Sequence, residues 1–119
     1  SKGRLVYGIP FTRSKEISDI VDASQYIVKA VVSEIKLENP NSNRDTYICD
    51  VTDKLRGSTQ DKINIVLFKD TVSIGKEYLF LLNKDTEDSL IYALSSVNSV
   101  VELEKDKSVV EEITKLISK

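Results

Sequence analysis

Histidine is missing from all 119 residues, as are tryptophan and methionine; cysteine occurs once, glycine four times and proline twice. Each shortage closes a class of function. Without histidine the chain lacks the commonest general base, the commonest metal ligand and the side chain that changes charge near neutral pH. A lone Cys49 permits no internal disulfide, no CxxC redox pair and no thiolate zinc site. The lack of methionine disfavours a soft, adaptable binding groove of the Met-rich kind. No apolar run approaches the length of a bilayer span, and no pattern of basic, apolar and small residues stands at the start as a signal segment would.

What is present describes a folded domain. The hydrophobic fraction is 40% and the charged fraction 30%, values of a globular chain rather than a disordered one. At 119 residues the expectation is a single domain over 1–119 with one sizeable core. The net charge is −2, and the 17 Lys and Arg residues are scattered. No global field draws such a chain onto nucleic acid or anionic lipid.

Residues 1–12 carry two glycines and a proline and read as an extended arm. Ile17, Ile20 and Val21 then fall at helical spacing, with Ser14 as N-cap and Glu16 in the favourable first turn. From Tyr26 to Glu38 the chain is β-branched and alternating, which argues for a long strand. Tyr26, Val28, Ala30 and Val32 are apolar on even positions, whereas Val31, Ile35 and Leu37 are apolar on odd ones. Such a change of phase implies a bulge or sharp coil, by which one strand serves two halves of a closed barrel.

After the loop signal Asn39-Pro40-Asn41-Ser42-Asn43, a second strand places Tyr47, Cys49 and Val51 on one face and Thr46, Asp50 and Thr52 on the other. Ile63 to Phe68 is the third strand. The turn glycine Gly75 introduces Tyr78 to Leu82, whose unbroken apolar character suits a strand covered on both sides. Leu90 to Leu94 is a fifth strand and Val100 to Leu103 a short sixth. Ser108-Val109-Val110-Glu111 reads as a capping box, and Val109, Val110, Ile113, Leu116 and Ile117 form a helical stripe. The expected architecture is mainly β: a five- to six-stranded OB-like Greek-key barrel, with a short N-terminal helix and a C-terminal amphipathic helix packed on it.

Candidate chemistry is sparse. Asn83, Asp85, Glu87 and Asp88 loosely resemble a calcium loop but lack its turn glycine and distal glutamate, and a solvated hairpin tip is the expected state. Asp45, Asp50 and Asp53 share a strand region and are expected to point outward. Cys49 has no histidine partner and lies in phase with Tyr47 and Val51, so it reads as a small core residue. OB barrels often bind single strands through exposed aromatics over a basic groove. Here Tyr78, Phe80 and Tyr47 fall among core positions, leaving Tyr7, Tyr26 and Phe68 as the open cases. Gly57 and Gly75 are isolated turn glycines and make no phosphate loop. No catalytic, cofactor-binding or metal-binding residue emerges, and no cofactor is implied.

Three stretches carry a family resemblance: Val21-Asp22-Ala23-Ser24-Gln25-Tyr26-Ile27-Val28-Lys29-Ala30-Val31-Val32, Tyr47 through Val51 to Leu55-Arg56-Gly57, and Val72 through Gly75-Lys76-Glu77-Tyr78-Leu79-Phe80-Leu81. In them the chain resembles the uncharacterised bacterial members of the tissue-inhibitor-of-metalloproteinases-like, netrin-module-like OB-fold group. The resemblance spans Val21 to Ser95 and implies an exported or lipid-anchored protein whose signal segment has been removed, with the cytoplasm as the alternative location. Animal inhibitors of that group chelate a protease zinc through an N-terminal Cys-x-Cys. This chain has Ser1-Lys2-Gly3 there, so neither metalloproteinase inhibition nor any functional residue transfers. The expected function is a non-enzymatic, surface-tethered module that binds an unknown protein. The alternatives are a single-stranded nucleic-acid binder and a small-ligand or calcium-binding module.

Overall fold

The computed structural model describes residues 14–118; the arm expected over residues 1–12, Tyr7 included, lies outside them. The element order is α1 (Ser14–Asp22), β1 (Tyr26–Leu37), β2 (Arg44–Arg56), β3 (Lys62–Phe68), β4 (Glu77–Lys84), β5 (Ile91–Leu94), β6 (Val100–Glu102) and α2 (Lys107–Ile117). Strand β1 pairs antiparallel with β2 from Ile27↔Arg56 to Leu37↔Thr46, and with β4 from Tyr26↔Leu82 to Val31↔Glu77. Antiparallel β2–β3, parallel β3–β5 and antiparallel β4–β5 pairings close the ring β1-β2-β3-β5-β4-β1. This is a five-stranded, OB-like Greek-key barrel with β6 added along β4.

The continuous apolar run of β4 separates two cores. Tyr78, Phe80 and Leu82 point into the barrel and pack with Val28, Ala30 and Val32 of β1, Tyr47 and Cys49 of β2, and Ile63, Ile65 and Leu67 of β3. Leu79 and Leu81 point the other way and join Ile27, Val101, Ile17, Val21 and Ile113 beneath the two helices. A strand with both faces buried has no solvent side to mark with polar residues, which explains its lack of alternation. Helices α1 and α2 pack against each other over this outer core, each burying one apolar stripe.

Strands β5 and β6 occupy the same edge of β4 and act as one interrupted strand. The pair Leu82↔Leu94 is followed along β4 by Phe80↔Val100; between them the Ser95 amide donates to the Leu81 carbonyl and the Leu81 amide donates to the Ser99 carbonyl, each at 3.0 Å, so residues 96–98 are looped out of the ladder. Serines close this loop: the Ser96 amide donates to Ser99 Oγ at 2.8 Å, and the Ser99 amide donates to the Ser96 carbonyl at 3.2 Å. The Ser24 and Ser95 hydroxyls, 2.7 Å apart, tie it to the end of α1.

Two local expectations change. The irregularity in β1 is present, with register shifts that include one between Val32 and Glu34, and β1 does serve both β2 and β4. Yet Ile35 and Leu37 are 41% and 64% exposed. Pairing with β4 stops at Val31, so the end of β1 lies past the barrel wall, and among the described residues no second layer covers it. Helix α2 begins at Lys107 after Asp106 as N-cap, and no side chain supplies the cap bond. Ser108 therefore sits inside the first turn, because the turn after β6 already presents the Asp106 carbonyl to the Val109 and Val110 amides at 3.1 Å each. The helical stripe itself forms as expected, with Ile113 fully buried. The side chain of Ser14 is outside those described.

Candidate functional site

The inner faces of β2 and β3 are spent on the core, so the available chemistry lies on their outer faces. In β3, Ile63, Ile65 and Leu67 are buried inward, leaving Asn64, Val66 and Phe68 outward. Register places Arg44 beside Phe68, Thr46 beside Val66, and Val66 beside Ala93 of β5. An apolar strip thus runs over β3 and β5, bordered on β2 by Arg44 and Thr46. Where the chain turns away from β4 after Leu94, the strip deepens into a groove of about 220 Å³. Its floor is Val66, Phe68, Ala93 and Leu94, and its far wall is Ser96 and Val97 of the looped-out segment. The Arg44 guanidinium carbon stands 4.8 Å from the centre of the Phe68 ring, a cation–π stack at the rim. Exposed Leu90 and Ile91 extend the apolar character toward the β4–β5 loop.

A second, more polar hollow of about 430 Å³ opens at one mouth of the barrel, between the β2–β3 and β4–β5 connections. Gln60, Asn64, Ser89 and Tyr92 are among its lining residues, with Lys62 and Lys84. Both lysines are engaged. Lys84 Nζ lies 5.1 Å from the Tyr92 ring and 5.5 Å from the Tyr26 ring, and those two rings meet edge to face at 5.1 Å. Lys62 pairs with Asp50 at 2.9 Å, a hydrogen bond that raises the lysine's proton affinity. Tyr26, Tyr92 and Lys84 thus form one stacked group at the edge of this hollow.

Cys49 is fully buried; burial first, then the Asp50 charge, pushes its thiol up to about 12. At neutral pH it is a protonated, enclosed thiol and no nucleophile. Tyr47, Tyr78 and Phe80 are core residues as expected. The Tyr47 phenol is raised above its ordinary value by burial first, then by the carboxylates of Asp45, Asp70 and Glu38. Tyr26 is half-buried beneath Lys84, while Phe68 is the aromatic presented on the outer wall.

Asp45 corrects the sequence reading. It faces Leu67 across the ladder and shares the inward phase of Tyr47 and Cys49, so it is buried rather than outward. Its Oδ1 accepts the Asn39 amide at 2.9 Å and lies 3.6 Å from Lys69 Nζ. Lys69 in turn donates to the Asn39 carbonyl at 2.8 Å. The trio pins the β1–β2 loop to the end of β3. Asp50 points outward to Lys62, and Asp53 is exposed.

In the β4–β5 loop, Asn83 is committed to structure: its Oδ1 accepts the Gln25 amide at 2.7 Å and its Nδ2 donates to the Ala23 carbonyl at 2.9 Å. Asp85, Glu87 and Asp88 are exposed. Among the described residues, no cluster of three or more His, Cys, Asp or Glu side chains has the placement to hold a metal ion. Also among the described residues, no helix is long and apolar enough to cross a membrane.

The apolar groove escaped the sequence reading because its walls come from Arg44, from β3 and from a segment some 25 residues further along. One signal was available: Val66 and Phe68 give β3 apolar residues in both phases, a surplus for a strand that covers one core. The fold and this face together define an OB-like barrel with an apolar outer wall. No protein-family model matches the chain, and no curated protein matches it either.

Proposed function

We propose that this chain is a non-enzymatic protein-interaction module that docks its partner on the outer wall of β2, β3 and β5. The observation that carries this reading is the strip Val66–Phe68–Ala93, apolar and outward on strands whose inner sides already fill the barrel. A contiguous apolar strip on the outside of a barrel wall supports an interaction surface. The absence of histidine from the chain and the enclosed state of Cys49 support a binding role over a catalytic one. An exported or surface-tethered setting belongs to the same proposal and is supported by the family resemblance of residues Val21 to Ser95.

The test is a photo-crosslinking residue placed at Val97, with the labelled chain exposed to the envelope and secreted fractions of its source cells. A discrete protein adduct that disappears in Val66→Asp supports the proposal. Adducts equal in wild type and Val66→Asp count against it.

A second reading as a single-stranded nucleic-acid binder draws on the Arg44–Phe68 stack, because strands 2 and 3 are where OB barrels often hold oligonucleotides. It has less support. Among the described residues Arg44 is the one cation lining the groove, and Tyr47, Tyr78 and Phe80, three ring-bearing residues, are spent in the core rather than offered for base stacking. Salt-sensitive, micromolar binding of oligodeoxythymidylate would favour it.

A further inference from the structure

We infer that the chain self-associates as a two-fold dimer through the outer edge of β1, with Ile35 of one copy laid against Ile35 of the other. The inference rests on β1 and not on the reading of the β3–β5 wall. β1 pairs with β4 only as far as Val31. One step further, the Val32 amide donates to the Lys76 carbonyl at 3.0 Å and the Gly75 amide donates to the Val32 carbonyl at 2.7 Å. From Ser33 to Leu37, β1 has β2 on one side and, among the described residues, no strand on the other. An edge of this kind is a template for a second chain.

Backbone phase makes Ile35 the pairing residue. The Val51 amide donates to the Asp61 carbonyl at 2.7 Å, away from β1. The β2–β3 register runs without a shift from Asp50 to Arg44, so alternation turns the amide and carbonyl of Tyr47 away from β1 as well. Ile35 stands opposite Tyr47 and therefore directs its own N–H and C=O to the outer edge. A two-fold axis at this point lets each Ile35 amide donate to the other copy's Ile35 carbonyl.

The side chains then match. Glu34 of each copy falls opposite Lys36 of the other, and facing opposite charges stabilise an antiparallel ladder. Both residues are exposed, and among the described residues neither forms an ion pair. Ile35 meets Ile35, and Leu37 falls opposite Ser33, beside the Val32–Gly75 bond that brings Ile74 to this edge. These three apolar side chains are 41%, 64% and 54% exposed for Ile35, Leu37 and Ile74. A register moved by one residue would set Ile35 opposite Lys36 and lose both matches. Register shifts between Val32 and Glu34 and between Ile35 and Leu37 bound the regular stretch, so the pairing is short and the dimer weak.

The experiment is analytical ultracentrifugation of wild type, Glu34→Lys, Lys36→Glu and the double exchange, each first shown to be folded by circular dichroism. Wild type is expected to enter a monomer–dimer equilibrium below about 1 mM. Either single exchange sets like charges opposite each other at both ends of the pairing and should weaken the dimer at least about tenfold. The double exchange restores opposite pairs and should recover association to within about threefold of wild type. Amide exchange locates the contact: the Ile35 N–H should become protected as concentration rises. A wild type that stays monomeric to about 1 mM overturns the inference. Dimers that survive either single exchange, or a double exchange no tighter than the singles, overturn it too. Association with an unchanged Ile35 exchange rate places the contact elsewhere and also overturns it.

Discussion

Gly57 is packed directly against Tyr26. A Cβ at position 57 would fall 2.7 Å from Cδ1 of the Tyr26 ring and 2.8 Å from the Gln25 carbonyl oxygen, and the backbone there has φ of +77°. The turn that ends β2 thus seats the first residue of β1, and Tyr26 in turn supports Tyr92 and Lys84 at the barrel mouth.

This contact separates two glycines that look alike in sequence. Gly75 has φ of +90° but nothing within 4 Å of a built Cβ, so Gly75→Ala carries only the left-handed backbone cost, about 1 kcal/mol. Gly57→Ala adds a clash with a backbone carbonyl that cannot rotate away, and is expected to cost about 2–4 kcal/mol. Urea unfolding of the two variants checks the order; equal losses would mean that the β2–β3 turn relaxes freely.

Strand β4 gives a paired prediction, because neighbouring side chains report on different cores. Phe80 is fully enclosed in the barrel, and Phe80→Ala should cost about 3–5 kcal/mol. Leu81 is equally buried but lies beneath the helices, and Leu81→Ala should cost about 2–5 kcal/mol. Amide exchange distinguishes them. Phe80→Ala should speed exchange in β2 and β3, and Leu81→Ala in α1 and α2. Identical exchange patterns would show that the two clusters unfold as one unit.

The double burial of β4 was legible in its sequence, since Tyr78 to Leu82 is apolar at every position. The strand order and the helical stripe of α2 were legible for the same reason: both follow from local periodicity. What depends on tertiary placement was not. Asp45 stands two residues before Tyr47 and so shares its inward phase, but its type argued for solvent; only Asn39 and Lys69, brought to it by the fold, make burial tolerable. The joining of β5 and β6 into one interrupted strand depends on β4 as a template. The groove exists only because that interruption swings Val97 out beside Phe68.

Alkaline pH should destabilise the native state through two buried groups. The Cys49 thiol is raised to about 12, so between the ordinary thiol value near 8.5 and about 12 the unfolded chain has lost a proton that the native chain keeps. Raising pH through that window favours unfolding, by up to about 1.4 kcal/mol per pH unit for this group. The raised Tyr47 phenol acts with the same sign above about pH 10. Melting temperature should therefore fall from about pH 8.5 upward. Cys49→Ala should start lower, from its cavity, but fall less steeply. A slope unchanged by Cys49→Ala would mean that the thiol titrates normally. The native thiol should also resist alkylation at pH 8 until the chain unfolds.

Asn83 joins three parts of the chain that are distant in sequence. Its amide accepts from the Gln25 N–H at 2.7 Å, and donates to the Ala23 carbonyl at 2.9 Å and to Ser95 Oγ at 3.2 Å. It therefore fixes the α1–β1 junction and the looped-out segment to β4. Asn83→Ala should cost about 1–3 kcal/mol, because the Ala23 carbonyl loses a donor that solvent replaces only if the junction opens. Asn83→Asp keeps the acceptor for Gln25 but sets a carboxylate against the Ala23 carbonyl, and should cost at least as much. The same commitment removes Asn83 Oδ1 from any cation shared with Asp85, Glu87 and Asp88, so millimolar calcium should leave the melting temperature of the wild type unchanged. A calcium-dependent rise, retained in Asn83→Ala, would place a cation on the exposed carboxylates alone. A rise abolished by that substitution would instead mean that Asn83 releases Gln25 to take the ion.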